Sequence, residues 1–161
     1  MKIVVVDDDK GFARDMGELL RSEGHDSTIF HSVEEARKGL AGEERPFLMF
    51  LDHDFGPAEQ GYELARWLRE THPFGMILPI IYLTGSESPE RFLGQESATP
   101  FAHPTAFLTK NQLAKDDGLL SRLLKQYAAD FERVRELVEI QATRQALQGL
   151  GAFDPEVIDA P

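Results

Sequence analysis

A chain of 161 residues with 42% apolar and 28% charged side chains has material for one well-packed domain plus an appendage, and too little for two ordinary domains. Seventeen basic against 28 acidic residues give a net charge of −11 with no Lys/Arg cluster, which argues against a nucleic-acid backbone or an anionic membrane surface as partner. The absence of cysteine excludes a disulfide framework and thiolate metal sites, and the opening MKIVVVDDD has neither a signal-peptide nor a membrane-span pattern, so a soluble cytoplasmic protein is expected.

Ile3 to Val6 is a short β-branched apolar run, the pattern of a strand buried on both faces of a parallel sheet, and it stops at Asp7-Asp8-Asp9. From Phe12 the apolar positions Phe12, Ala13, Met16, Leu19 and Leu20 recur at helical spacing until Gly24, a C-terminal cap. Ser27 to Phe30 reads as a weaker strand. Ser32-Val-Glu-Glu35 has the capping-box form ahead of a helix carrying Val33, Ala36 and Leu40. Phe47 to Leu51 is a third strand that ends at Asp52. After a Gly/Pro-containing loop, Tyr62, Ala65 and Leu68 mark a helix that must end before His72-Pro73. Pro79 to Leu83 is a fourth strand, stopping at Thr84-Gly85. Ser88-Pro89-Glu90 starts a helix that Pro100 and Pro104 keep short, and Ala106 to Thr109 is a fifth strand followed by Lys110.

Alternating elements of these lengths predict a doubly wound α/β sheet, with the site at the carboxyl ends of the strands. From about Asp117 to Gly149 nothing breaks a helix. Leu120, Leu124, Tyr127, Phe131, Val134 and Val138 alternate four and three residues apart as a heptad seam, which fades into Gln141, Gln145 and Gln148. Either this helix forms a coiled coil, or its first turns cover the sheet and the remainder is a linker. The expected division is residues 1–128 for the domain, 129–150 for a helical extension and 151–161 for a tail.

Every strand with a strong apolar signal ends in a polar residue: Asp7-Asp8, Asp52, Thr84 and Lys110. In a parallel sheet these ends share one edge. Carboxylates so gathered repel one another unless a cation intervenes, and oxygen-only ligands suit Mg²⁺, or Mn²⁺ in its place. Such an ion polarises a phosphoryl oxygen, while Lys110 and the Thr84 hydroxyl supply further charge and a hydrogen bond. A carboxylate can itself attack phosphorus, and Asp52, on the central strand, is the natural nucleophile. Asp54 lies on the same side of an extended backbone as Asp52, whereas His53 points to the other side and reads as a packing or surface histidine.

Asp-Asp after the first strand, "LMFLD", "IIYLTG" and "FLTK", in that order, resemble the receiver domain of bacterial two-component response regulators over roughly residues 1–128. The resemblance implies a five-stranded parallel sheet in the flavodoxin-like order 2-1-3-4-5 with an extended C-terminal helix. It implies that Asp52 accepts a phosphoryl group from a histidine kinase or phosphotransfer protein, that Asp8 and Asp52 bind Mg²⁺ directly with Asp7 assisting, and that the backbone carbonyl of Asp54 completes the protein ligands. Thr84 and Lys110 would contact the phosphoryl group, and Phe107 would be the aromatic switch. The protein would then be a signalling module rather than a turnover enzyme, with a homodimer through the last helix as a possible assembly.

This sequence departs from the family pattern in several places. The stretch between Asp52 and Gly61 carries an extra residue, Asn111 replaces the usual proline after the lysine, and the interval from Thr84 to Lys110 is long and contains Pro89, Pro100 and Pro104. Two other readings stand beside the receiver: a degenerate receiver used as a binding or dimerising platform, and a phosphatase of the haloacid-dehalogenase type, which Asp52-x-Asp54 also resembles. The second places its Asp-x-Asp near the start and its extra acidic pair late, the reverse of this chain.

Overall fold

The computed structural model describes residues 1–53, 55, 61–85 and 105–149; in the last helix the side chains at 134, 135, 137, 138, 141, 142 and 144–149 are outside that description. Asp54, Gly56-Pro57, the expected Ser88 helix start, Pro100, Pro104 and the tail therefore lie outside the described residues. Five strands, β1 (Ile3–Val6), β2 (Ser27–Phe30), β3 (Leu48–Asp52), β4 (Ile80–Thr84) and β5 (Ala106–Thr109), form one parallel sheet in the order β2-β1-β3-β4-β5. That is the doubly wound, flavodoxin-like order expected from the sequence.

Burial follows position in the sheet. Every residue of β1, β3 and β4 is buried, because each of these strands has a neighbour on both sides, and their sequences accordingly lack polar alternation. The edge strands β2 and β5 are only partly buried. Val4, Val6, Met49, Leu51, Ile80 and Tyr82 join one cluster with Val33, Ala36 and Leu40 of α2 (Val33–Leu40) and Leu64, Ala65 and Leu68 of α3 (Gly61–Thr71). Each large apolar side chain so buried stabilises the fold by roughly 1.5–3 kcal/mol.

The helices begin where the sequence supplies a cap. α1 (Lys10–Ser22) starts after Asp9, whose Oδ1 accepts the amides of Gly11 at 2.9 Å and Phe12 at 3.1 Å. It buries Ala13, Met16, Gly17 and Leu20. Leu19, expected on the apolar face, is instead 40% exposed, because the buried stripe passes through Gly17. Gly24 has φ of +82°, as the end of α1 requires. Ser32 caps α2 through the Glu35 amide, but Glu35 Oε2 accepts the amide of His31 at 2.7 Å rather than closing the box on Ser32.

A short helix α4 (Lys110–Lys115) opens immediately at the end of β5. Thr109 and Gln112 form a complete capping box, with Thr109 Oγ1 accepting the Gln112 amide at 3.0 Å and Gln112 Oε1 accepting the Thr109 amide at 2.8 Å. The last helix, α5 (Leu119–Gly149), runs for 31 residues without interruption. The chain divides into two compact units, one ending at Leu124 and the other beginning at Lys125. In the first, Leu120 and Leu124 are buried. In the second, α5 carries an ion pair between Arg133 and Asp130 at 3.8 Å, and the Thr143 hydroxyl donates to the Glu139 carbonyl at 2.8 Å. Among the described residues no helix is long and apolar enough to cross a membrane.

Candidate functional site

Strand register brings the sequence-predicted residues to one edge. Val6 lies opposite Leu51, so Asp7 follows level with Asp52, and Asp52 lies opposite Leu83. Thr84 lies opposite Thr109, which puts Lys110 at the next position along that edge. Backbone hydrogen bonds hold the two acids in line: the Asp7 amide donates to Phe30 O at 3.1 Å, and the His53 amide donates to Leu83 O at 3.2 Å. Asp7, Asp52 and Thr84 are buried, Asp8 is exposed, and Lys110 is half-buried.

Lys110 is the centre of the arrangement. Its ammonium donates a hydrogen bond to Asp52 Oδ2 at 2.8 Å and forms an ion pair with Asp7 Oδ2, also at 2.8 Å. The second contact is a pairing of charge rather than an aligned hydrogen bond, and Asp7 Oδ2 has no hydrogen-bond partner among the described residues. Burial pushes the Asp7 carboxyl up from 3.8 to about 6; Lys110 opposes the rise and the charge of Asp52 adds to it. Burial by itself would lower the Lys110 ammonium, but its bonds to Asp52 and Asp7 outweigh that and hold it above the ordinary lysine value. Asp9, by contrast, is lowered by the Phe12 amide it accepts: it caps α1, while Asp7 and Asp8 face the site.

Asp7, Asp8 and Asp52 can each offer one carboxylate oxygen, all within 4.8 Å of one another. With all three ionised, one ammonium leaves two negative charges uncompensated, a deficit that a divalent cation matches. The all-oxygen donor set, with a buried Asp7 Oδ2 that has an ion pair to Lys110 but no aligned hydrogen bond, fits a hard ion of the Mg²⁺ or Mn²⁺ kind. Asp54, expected to contribute its carbonyl, lies outside the described residues.

Phe107 is half-buried on β5, and its ring meets that of the buried Tyr82 edge-on at 5.5 Å between centroids. His53 is buried with its ring against Tyr82 at 5.5 Å and Tyr62 at 6.4 Å, the packing position that strand alternation predicts.

Three further residues shape the site, and strand-end reasoning does not single them out. The ring of Phe12 lies 4.6 Å from the Lys110 ammonium, although its sequence signal is only that of an apolar helix position. His31 Nδ1 is 3.1 Å from the Asp7 carbonyl oxygen, tying the end of β2 to the acidic loop. Gly61 starts α3 against the backbone of Asp52 and His53, and a β-carbon there would overlap the Asp52 carbonyl. The glycine's place at the head of a predicted helix was the available clue.

Residues 3–98 match the family model for the response regulator receiver domain. Response regulator MprA of Mycobacterium bovis is 31% identical over 152 residues, covering 92% of this chain and 64% of the relative, so the chain spans less than two thirds of that relative's length. A CheY-like receiver domain protein from Methanospirillum hungatei superposes with a TM-score of 0.61 at 25% identity, covering 82% of this chain and 96% of that one. The receiver domain of a signal transduction histidine kinase from Syntrophus aciditrophicus gives a TM-score of 0.61 at 26% identity, covering 78% and 87%.

Proposed function

The chain belongs to the response regulator receiver domain family, and we propose that it acts as a phosphoacceptor, with Asp52 taking a phosphoryl group from the phosphohistidine of a histidine kinase or phosphotransfer protein. The observation that carries this reading is the ammonium of Lys110, 2.8 Å from both Asp7 and Asp52 at the carboxyl edge of the sheet. A carboxylate oxygen of Asp52 attacks phosphorus, the new O–P bond forming as the donor's P–N bond breaks. The electron pair leaves on the imidazole nitrogen, which takes up a proton. Lys110 shifts from Asp52 to an incoming phosphoryl oxygen, and the Thr84 hydroxyl donates to another. Asp8 and Asp52, with Asp7 assisting and the Asp54 carbonyl as a further ligand, would hold a divalent ion of the Mg²⁺ or Mn²⁺ kind, which would supply countercharge for the phosphoryl oxygens.

On this reading the domain is residues 1–128, extended by a helix over 129–150 and a tail over 151–161. Movement of Thr84 toward the phosphoryl group is read out by Phe107, whose ring meets that of Tyr82 edge-on. The domain works in the cytoplasm as a signalling module that gains and loses its phosphoryl group rather than turning over a metabolite. The heptad positions Phe131, Val134 and Val138, which continue the seam beyond the buried Leu120, Leu124 and Tyr127, support a homodimer through α5. Sedimentation of the full chain against a form ending at residue 128 tests that assembly, and a monomer in both excludes it.

The central test is incubation with acetyl phosphate and Mg²⁺, read by intact mass. The wild type gains one phosphoryl group, and Asp52→Asn gains none. A wild type that stays unmodified, and that also fails to bind beryllofluoride, is a protein-binding platform instead.

A further inference from the structure

We propose that Phe12 is a positioning residue for Lys110, its ring forming a face against which the ammonium is held while Asp52 exchanges its free carboxylate for a bond to phosphorus. This rests on the phosphoacceptor reading of Asp52 and adds to it a residue from a different element of the fold.

The ammonium of Lys110 lies 4.6 Å from the Phe12 ring centroid, and its side chain is only 22% exposed. An ammonium on a flexible four-carbon stem stays in place only if several partners share it. Two of the three here are carboxylates, Asp7 and Asp52, each at 2.8 Å. The third is an aromatic face, which attracts a cation through its quadrupole, most strongly where water is excluded. Phe12 is half-buried in the first turn of α1, where its backbone is anchored by its amide donating to Asp9 Oδ1 at 3.1 Å.

The three partners respond differently to the reaction. With acetyl phosphate as donor, an Asp52 oxygen forms the O–P bond while the P–O bond to the acetyl group breaks, and acetate leaves with the electron pair. Asp52 then ceases to be a free carboxylate and weakens as a partner for Lys110. The attraction of the Phe12 ring is unchanged by that step. It therefore keeps the ammonium at the edge of the site during the interval in which Lys110 moves from Asp52 to the phosphoryl oxygen. Leucine fills much of the same volume but has no quadrupole, whereas tyrosine keeps the aromatic face, so the two substitutions separate positioning from packing.

The experiment uses the full chain as wild type, Phe12→Leu and Phe12→Tyr. The ¹H and ¹³C shifts of the Lys110 ε-methylene are recorded first, then the rate of adduct formation at Asp52 over a range of acetyl phosphate concentrations with Mg²⁺ present. The Lys110 ε-methylene is expected to be shifted upfield by the ring in wild type and Phe12→Tyr, and to lose that shift in Phe12→Leu. The maximal rate constant of Phe12→Leu is expected to fall about three- to tenfold with the half-saturating acetyl phosphate concentration unchanged, and that of Phe12→Tyr to stay within about twofold of wild type. A wild-type rate in Phe12→Leu, or equal slowing in both variants, overturns the positioning role while leaving the phosphoacceptor reading intact. Absence of the upfield shift in wild type overturns it also. Should Phe12→Leu not fold, Phe12→Met carries the same comparison. A wild type that forms no adduct removes the phosphoacceptor reading, and this inference with it.

Discussion

Gly61 begins α3 directly against the backbone of Asp52: its amide donates to His53 O at 3.1 Å, and a β-carbon at this position would overlap the Asp52 carbonyl. The contact is backbone against backbone, so no side chain can rotate away to relieve it. Gly61→Ala is therefore expected to destabilise the protein by about 1–3 kcal/mol, seen as a lower urea midpoint with the slope unchanged. The strain is relieved by moving the end of β3, so the rate of adduct formation at Asp52 should fall with stability. A variant as stable as wild type would show that α3 is free to start farther from β3.

Asp7 gives a pH dependence with a definite sign. Its carboxyl is raised from 3.8 to about 6, chiefly by burial, so the folded state binds the proton more tightly than the unfolded chain does. The stabilisation from this group is complete below the unfolded value and is lost as pH rises through about 6. In EDTA at pH 7.5, Asp7→Asn should therefore be more stable than wild type, on the order of 1–3 kcal/mol, and the difference should vanish in acid. Added Mg²⁺ should raise the wild-type melting temperature and have much less effect on Asp7→Asn. A variant less stable than wild type in EDTA would mean that the ion pair with Lys110 outweighs the cost of burying the carboxylate.

The strand ends were legible in the sequence because the buried strands β1, β3 and β4 have no polar alternation to obscure where they stop. An apolar run entering Asp7, Asp52 or Thr84 marks the carboxyl edge, and parallel register then gathers those residues without any knowledge of side-chain placement. Contacts made across long separations were not legible. Lys110 and Phe12 meet only because α4 and α1 start at the same edge, and a phenylalanine at helical spacing carries no sign that its ring faces an ammonium. The missed helix α4 has a different cause. Thr109 serves both as the last residue of β5 and as a helix cap, and a Thr-x-x-Gln signal is easily overlooked when its first residue has already been assigned to a strand. Leu19 shows the limit of reading periodicity from apolar residues alone: the buried arc of α1 runs through Ala13, Met16, Gly17 and Leu20, and Leu19 falls to one side of it.

At the far end of the domain, His72 provides a second pH dependence of opposite sign. Its Nδ1 accepts the Phe74 amide at 3.1 Å, and its ring meets Phe47 edge-on at 5.3 Å. Burial holds it below the ordinary histidine value, with Glu43 opposing. Its contribution is complete above the unfolded value and is lost as pH falls, because protonation at Nδ1 removes the acceptor for Phe74. His72→Asn keeps an acceptor close to that position without titrating. Its stability should change less than that of wild type between about pH 7 and 5, measured by urea denaturation across the range. Parallel curves for the two proteins would assign the acid sensitivity to other groups.

Lys110 has two roles that one substitution pulls apart. In the metal-free protein it neutralises Asp7 and Asp52, so Lys110→Gln leaves two buried carboxylates facing each other and should cost about 1–3 kcal/mol in EDTA. The same ammonium competes with a divalent ion for those oxygens, so the variant should bind Mg²⁺ several-fold more tightly than wild type and regain part of its stability when the ion is added. Phosphoryl acquisition should nevertheless fall by at least about tenfold, because the group that follows the phosphoryl oxygen is gone. Calorimetric titration of Mg²⁺ and the adduct-formation rate, measured on the same preparation, give the two effects separately. Weaker Mg²⁺ binding in Lys110→Gln would mean that the lysine orders the carboxylates for the ion instead of competing with it.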